Sequence, residues 1–469
     1  MPTPTPQPSL STLPEAIAAE MPIVRDQLAE LVAIPTVADP AQFSPEEGRR
    51  GAAWVAAAFR AAGIPDARAV DTIDGTQAVI GLRPGPEGAP TVLLYSHYDV
   101  QPPLDEAAWH TPPFTLTTGD DGRWYGRGAA DCKGNVVAHL AALRVLGALY
   151  GDDWPFGVRL VVEGSEEQAG AGLEDYLRTH PEDFAADAML IQDGGNLAAG
   201  VPTLITELRG AADVVGSVDV FPGAVHSGQY GGAAPDAVAA LIRLLDSLRD
   251  EAGASVVDGL PATGTWDGGE MAEATLRDEI AIAPGVDVLG GDSIASTLWA
   301  RPAVTVIGID VPPVVGSTNA IQGHAAARLN LRVPAGMSAD EGAEQLRAHL
   351  LAHAPWGAQI AVEVRSTGEG FRTRTDTPAF QVLSDAMAEA FGAETQTAGM
   401  GGSIPLCAHL QEAYPEAAIC LLGVEEPACR IHAPNESVDP DEIRRIATAE
   451  ALFLTRIANA APSATEARA

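Results

Sequence analysis

The sequence predicts an α/β protein, in which a mixed sheet covered by helices on both faces carries a smaller inserted two-layer α/β domain. Short apolar runs alternate with amphipathic helical patterns up to Leu208, as expected of strands buried on both faces. The pattern then changes, and the helical periodicity of the first part returns only after residue 366. The chain has 469 residues. Because a single core stops growing near about 250–300 residues, we expect two domains.

The larger domain is predicted at 1–207 and 367–469. Apolar residues at helical spacing predict its helices, and short apolar runs predict its strands. In chain order these are helices 14–33 and 45–62, strand 91–95, helix 136–149, strands 157–162 and 188–191, helix 378–391, an apolar run at 417–422 and a closing helix at 440–460.

The inserted domain is predicted at 208–366. Its segment 252–292 has no clear pattern and is expected to form loops. The predicted elements are an alternating strand 211–221, helix 235–248, strands 303–311 and 325–333, helix 339–353 and strand 360–365.

Composition excludes several classes of protein. The chain has 63 Asp+Glu against 28 Lys+Arg and a net charge of −35, which disfavours binding to nucleic acid or to an anionic membrane. The first ten residues lack the basic start and apolar run of a signal peptide, and no apolar stretch approaches a membrane span of about 18 residues. None of the 4 cysteines forms a C-x-x-C pair. A cytoplasmic protein is therefore expected.

Polar side chains gather where the predicted strands end, which is where α/β sheets bind ligands. One strand is followed by His97 and Asp99, the next by adjacent carboxylates, and others by further acids and a histidine. The full set is His97, Asp99, Asp131, Glu166, Glu167, Asp193 and His432.

Burying so many carboxylates is costly unless positive charge neutralises them, and the chain offers few cationic side chains nearby. One or two divalent metal ions would neutralise them. Histidine with Asp and Glu suits Zn²⁺, and also Mn²⁺ or Co²⁺. Two other motifs fail: Gly164-Ser165-Glu166 lacks the second glycine of a nucleophile elbow, and Lys133 is not preceded by the glycine of a phosphate-binding loop.

Several segments together resemble the co-catalytic di-metal metallopeptidases, a family of carnosinases, cytosolic non-specific dipeptidases, glutamate carboxypeptidases, aminoacylases and acetylornithine deacetylases. The resemblance covers nearly the whole chain, and the first and last of its segments are similar to the dipeptidase and carnosinase branch. These segments are His97-Tyr98-Asp99-Val100-Gln101-Pro102, the glycine-rich run 126–134, Glu166-Glu167, Gly401-Gly402-Ser403-Ile404-Pro405 and His226-Ser227-Gly228-Gln229-Tyr230-Gly231-Gly232.

The resemblance implies two divalent metal ions per subunit, zinc first and Mn or Co as possibilities. His97, Asp131 and Asp193 would bind one ion, and Asp131, Glu167 and His432 the other, with Asp131 bridging.

The resemblance also implies hydrolysis of a peptide amide by a water shared between the ions. Glu166 would be the general base, and Asp99 would orient a metal-binding histidine. Position 132 departs from the dipeptidase branch, because Cys132 replaces the usual second Asp. We interpret this cysteine as a small packed thiol.

The inserted domain would be a lid and dimerisation domain of a homodimer. By the resemblance, Asn319, Arg332 and Ser403 grip the substrate, and His226 reaches the partner's site to stabilise the oxyanion. Purely local explanations stay open for three of them: His226 as a cap in a glycine-rich turn, Arg332 as a partner of surface acids, and Ser403 as a turn residue.

Three functions remain from sequence. The first is a dipeptidase or other exopeptidase acting on short peptides. The second uses the same site on an N-acyl-amino acid or a carbamoyl-amino acid. The third is a binding protein without activity, which a complete ligand set argues against.

Lys133 is the only lysine in the chain and lies inside the metal motif. We therefore expect it to lie where an arginine fork would not fit.

Overall fold

The computed structural model describes residues 12–168, 171–289, 291–402 and 404–460. The chain divides into two compact units. Unit 1 comprises Met1–Thr206, Thr373–Thr397 and His409–Ala469, and unit 2 comprises Glu207–Arg372 and Ala398–Ala408. Within the described ranges, no helix has both the length and the apolar character needed to cross a membrane.

Helices and strands alternate along much of the chain. The helices are α1 (Leu13–Val32), α2 (Pro45–Ala61), α3 (Lys133–Tyr150), α4 (Gly172–Thr179), α5 (Ser227–Tyr230), α6 (Ala237–Asp246), α7 (Glu273–Glu279), α8 (Ala339–Ala352), α9 (Pro378–Phe391), α10 (Pro405–Ala413) and α11 (Pro440–Ala460). The strands are β1 (Arg68–Asp71), β2 (Gln77–Arg83), β3 (Thr91–His97), β4 (Thr117–Thr118), β5 (Trp124–Tyr125), β6 (Gly157–Glu163), β7 (Ala188–Gln192), β8 (Thr203–Leu208), β9 (Gly210–His226), β10 (Ala303–Asp310), β11 (Ala320–Val333), β12 (Gln359–Gly368), β13 (Phe371–Arg372), β14 (Gln396–Met400), β15 (Ala418–Leu422) and β16 (Ser437–Val438).

The large sheet has the strand order β1-β2-β6-β3-β7-β15-β8-β13. Its centre is parallel, since β3 pairs in parallel with β6 and β7, and β7 in parallel with β15. Strands β1, β2 and β8 pair antiparallel, so the sheet is mixed, as predicted. The parallel central strands place four carboxyl ends at one edge of the sheet.

Both faces of this sheet are covered. Alternate residues of a strand point to opposite faces, and in β7 every residue is buried. Helix α3 packs against β3 and is itself flanked by α1 and α11. The predicted covered sheet is thus confirmed, and buried apolar surface of this extent is the dominant stabilising contribution to such a domain.

Unit 2 contains a four-stranded antiparallel sheet of order β10-β11-β9-β12. Helices α6 and α8 pack on it. The residues of β11 alternate between buried and more exposed positions, so only one face of this sheet carries helices. The predicted two-layer sandwich is observed, with longer strands than the sequence pattern indicated.

Several parts of the chain differ from expectation, and helices α4 and α10 and strand β8 were not predicted. The hairpin of β1 and β2 was not predicted, because β1 is short and mostly exposed and so carries no apolar pattern. The segment 252–292, predicted as loops, includes the short helix α7.

Lys133, the first residue of α3, is fully buried. Its Nζ donates hydrogen bonds to the main-chain oxygens of Leu31 and Ile34, at 3.0 and 2.8 Å. Burial lowers the pKa of this amine to about 7. These hydrogen bonds link the start of α3 to the end of α1. The buried space around Nζ is occupied by a compact amine head group.

Replacing Lys133 by arginine should destabilise unit 1, because a larger guanidinium must enter a closed space. We expect a loss of about 1–3 kcal/mol in the free energy of unfolding, typical of overpacking. Urea unfolding measures it. The matched control is Arg144→Lys on the same helix, where the side chain is partly exposed and bonded to Glu20. Equal stability of Lys133→Arg and the native chain would show that the space around Nζ accommodates a guanidinium.

Candidate metal centre

The predicted ligands lie at the carboxyl edge of the large sheet, all within unit 1. His97 is the last residue of β3, and Asp193 directly follows β7. Asp131 lies two residues before α3, and Glu167 lies in the short 3₁₀ turn after β6. His432 lies in the loop between β15 and β16. Parallel pairing of the central strands is what brings residues so distant in sequence together.

The ligands form two groups that share one carboxylate. In the first, Nε2 of His97 lies 3.0 Å from Oδ1 of Asp131 and 3.1 Å from Oδ1 of Asp193. In the second, Nε2 of His432 lies 3.0 Å from Oδ2 of Asp131 and 3.1 Å from Oε2 of Glu167. Asp131 therefore presents one oxygen to each group. The family resemblance implied that Asp131 bridges two ions, and this role stays a prediction.

The acids of the site are buried with little positive charge beside them. Burial, together with the neighbouring Asp193 carboxylate, raises the pKa of Glu166 to about 10. Hydrogen bonds to Asp131 and Glu167 raise the pKa of His432 to about 10. Imidazole and carboxylate donors of this kind fit divalent Zn, Mn or Co.

Asp99 holds two parts of the site at once. Nδ1 of His97 lies 3.1 Å from the main-chain oxygen of Asp99 and 3.3 Å from its Oδ1. Because a carbonyl oxygen only accepts, this nitrogen carries the proton, and Nε2 is left to bind a cation. The Asp99 carboxylate also accepts from the N–H groups of Glu166 and Glu167, at 3.2 and 3.1 Å. The contacts fit the predicted orienting role and extend it to the Glu-Glu turn.

Cys132 lies close to the first group, and its Sγ is within 4.8 Å of ligand atoms of His97 and Asp193. Its Sγ donates to the main-chain oxygen of Gln192 at 3.0 Å. Burial raises the pKa of the thiol, and only a thiolate binds metal well. The peptide bond between Asp131 and Cys132 is cis. These contacts fit the interpretation of Cys132 as a packed thiol.

The sequence reasoning missed the pair that holds the Asp131 loop. Glu436 accepts hydrogen bonds from the main-chain N–H groups of Gly128, Ala130 and Asp131, at 3.0, 3.1 and 3.1 Å. It also forms an ion pair of 2.6 Å with Arg127, and both side chains are buried. Arg127 lies inside the glycine-rich run 126–134, whereas Glu436 lies outside the quoted segments, and no local pattern shows that they meet.

Further polar groups, buried or half-buried, lie near the ligands. Nε2 of Gln101 donates to Oε2 of Glu167 at 2.8 Å. The hydroxyl of Tyr95 donates to Glu163, and burial raises the pKa of that carboxyl to about 8. Burial also raises the pKa of Glu425, which accepts from Asn135 at 2.6 Å.

The predicted substrate residues belong to unit 2. His226 ends β9, and its Nδ1 accepts from the N–H of Gly228 at 3.1 Å. The main-chain oxygen of Asn319 accepts from the N–H of Ser227 at 3.0 Å, so His226 and Asn319 lie near each other. The local capping contact of His226 therefore exists. Ser403 lies outside the described residues.

Arg332 is half-buried on β11 and has no acidic partner in the part of the chain that the structure describes. Its Nε donates to Oδ1 of Asn330 at 3.0 Å, and its Nη1 is buried without a partner. Burial lowers the pKa of this guanidinium.

A second arginine that the sequence did not single out lies beside Arg332. Arg209 is buried and donates to the main-chain oxygens of Leu298 and Arg301, at 2.6 and 3.1 Å. Burial, with repulsion from Arg332, lowers its pKa to about 10. Guanidinium groups are donors that suit a carboxylate or another anion.

The fold and the paired ligand groups define the class, which is a metal-dependent hydrolase built on an α/β sheet. The chain belongs to peptidase family M20/M25/M40, whose model matches residues 93–456. It is thus a metallopeptidase, and the family predicted from the motifs is confirmed.

Known proteins resemble this chain over most of its length. It is 46% identical over 407 residues to the Cysteinylglycine-S-conjugate dipeptidase of Corynebacterium striatum, covering 86% of this chain and 89% of that protein. It is 28% identical over 394 residues to the Beta-Ala-His dipeptidase of Rattus norvegicus, covering 80% and 78%. The crystal structure of human carnosine dipeptidase 1 shares the fold, with a TM-score of 0.79, 23% identity and coverage of 97% and 100%.

Proposed function

We propose that this protein is a metal-dependent dipeptidase, which hydrolyses the amide bond of dipeptides or short peptides. The observation that carries the proposal is the Asp131 carboxylate, shared between two His-carboxylate groups with Glu166 beside them. The two relatives named above are both dipeptidases. They do not favour the deacylase or carbamoyl hydrolase alternative.

Two divalent ions would be held by the two groups, zinc first and manganese or cobalt as alternatives. His97, Asp131 and Asp193 would bind one, and Asp131, Glu167 and His432 the other. When bound, such ions polarise a carbonyl oxygen and lower the pKa of water. Their charge also neutralises the buried acids, which the chain itself leaves without cations.

Glu166 is the proposed general base. It follows β6 in the turn that Asp99 anchors, and no side-chain hydrogen bond holds its carboxylate in the described part of the chain. A free carboxylate can take a proton from the attacking water and hand it to the leaving amine. Cations beside it would bring its raised pKa down into the range that this transfer requires.

We propose that Arg332 binds the substrate carboxylate, supported by Arg209. The buried, unpartnered Nη1 of Arg332 supports this assignment, because a guanidinium fork matches a carboxylate in two parallel hydrogen bonds. Asn319 and Ser403 would add polar contacts to the substrate. His226 would donate to the oxyanion in the partner subunit's site, where one such donor is worth about 3–4 kcal/mol.

The direct test is hydrolysis of a dipeptide and of its N-acetylated form by chain loaded with Zn²⁺, Mn²⁺ or Co²⁺. We expect cleavage of the free dipeptide and little of the acetylated one. Glu166→Gln should keep its metal content and lose about 100- to 10,000-fold in kcat, the usual contribution of a general base. Preference for the acetylated form would support the alternative function of an N-acyl-amino-acid deacylase. A near-normal kcat in Glu166→Gln would contradict the assignment of Glu166 as the general base.

Arg332→Ala should raise KM with a smaller effect on kcat, because it removes a contact to a remote part of the substrate. A charged hydrogen bond is worth about 1.5–3 kcal/mol, so KM should rise about 10- to 100-fold. Arg328→Ala is the matched control, since Arg328 lies on the same strand but is exposed and pairs with Asp213. The assignment fails if both variants behave alike.

We also propose a homodimer formed through unit 2, with β10 at the interface. This strand is at the sheet edge, and Val306, Ile307 and Ile309 on it are 45%, 51% and 51% exposed. In the loop that follows, Val314 is 92% exposed. Exposed apolar residues on an unpaired edge favour association with another strand.

Light scattering tests the dimer. Ile309→Asp should give a monomer with little activity, whereas Ile242→Asp, at an exposed isoleucine of α6, should leave the dimer intact. A fully active monomeric native chain would contradict both the dimer and the role of His226.

A cytoplasmic location completes the proposal. None of the four cysteines, all within the described residues, forms a disulfide, and all are buried, which suits a reducing compartment. Recovery of the protein outside intact cells rather than in their lysate would contradict this placement.

A further inference from the structure

We propose a third divalent metal site, in unit 2, formed by His349, His353 and Asp258. His349 lies on α8, and His353 caps the end of that helix one turn later. Asp258 lies in the irregular segment between α6 and α7. None of these residues belongs to the peptidase centre, so this site goes beyond the proposed function.

The spacing of the two histidines places both rings on one side of α8. Residues four apart lie on the same face of a helix, and here the ring centroids are 4.0 Å apart in a stacked pair. Nε2 of His353 lies 2.8 Å from Oδ2 of Asp258, and Nδ1 of His349 lies 3.3 Å from the same oxygen. All three ligand atoms lie within 4.8 Å of one another. Tetrahedral zinc with bonds of about 2.0–2.1 Å needs ligand atoms about 3.3 Å apart, so small shifts suffice.

The tautomer of His349 is fixed in the orientation that a metal ligand requires. The Ser247 hydroxyl donates to the main-chain oxygen of Leu244, so its oxygen accepts the Nε2–H of His349, at 3.1 Å. The other nitrogen, Nδ1, is then a bare acceptor, and the main-chain N–H of Asp258 donates to it at 3.1 Å. A cation would take the place of that hydrogen bond. A metal-binding histidine commonly has its second nitrogen held by such a partner.

The donor set selects the class of ion. Two imidazoles and one carboxylate suit Zn²⁺, Co²⁺, Ni²⁺ or Cu²⁺, and they disfavour Mg²⁺ and Ca²⁺, which prefer oxygen. His349 is buried, whereas the side chains of His353 and Asp258 are 41% and 67% exposed, so water can complete the coordination. Bound there, the ion would join the α6–α7 segment to α8 and stabilise unit 2.

The test compares zinc content per chain in the full-length protein, after chelation and equilibration with Zn²⁺ alone. The native chain should hold one more ion than Asp258→Asn or His353→Ala. The control is His324→Ala, which removes a histidine of similar exposure that pairs with Asp219 at 2.9 Å, and it should match the native chain.

The expected difference of one ion does not depend on how many ions the peptidase centre holds, so the two proposals fail separately. Cobalt loading gives a second readout, because the native chain should show more visible absorption per chain than either variant. Dipeptidase activity should be retained in both variants. Equal zinc content and equal cobalt absorption in the native chain and the variants would overturn the site.

Discussion

The burial of carboxylates around Asp131 is the constraint on which the rest of unit 1 depends. One carboxylate faces two histidine groups through its two oxygens, at 3.0 Å in each case. That arrangement requires the Asp131 loop to stay fixed relative to β3 and to the β15–β16 loop. Glu436 holds the loop in place, because it accepts hydrogen bonds from three main-chain N–H groups of the loop and forms an ion pair with Arg127. The buried Lys133 ammonium fixes the helix that follows.

The large negative charge of the chain has a local explanation only in part. Asp99, Asp131, Glu166, Glu167 and Asp193 are five of the 63 acids, and two divalent ions would largely neutralise them. Buried cations of the chain are used for other purposes. Arg127 pairs with Glu436, and Lys133 binds main-chain oxygens. Neither of these two side chains neutralises the metal ligands, so the negative charge of the site is left for divalent ions to neutralise.

Much of the site could be predicted because its ligands follow strands whose apolar runs are visible locally. His97 and Asp193 are examples, and the parallel sheet then brings their ends together. The supporting residues could not be predicted, because their partners lie far away in the sequence. Glu436 meets Gly128 and Arg127 across more than 300 residues. Arg209 has no motif at all, and its proposed role rests only on its proximity to Arg332.

We propose that Asp131 bridges two metal ions. Anomalous diffraction from crystals of the zinc-loaded protein, recorded on both sides of the zinc absorption edge, tests it most directly. We expect two anomalous peaks beside Asp131, one near His97 and Asp193 and the other near Glu167 and His432. A single peak, or two peaks that do not share Asp131, would contradict it.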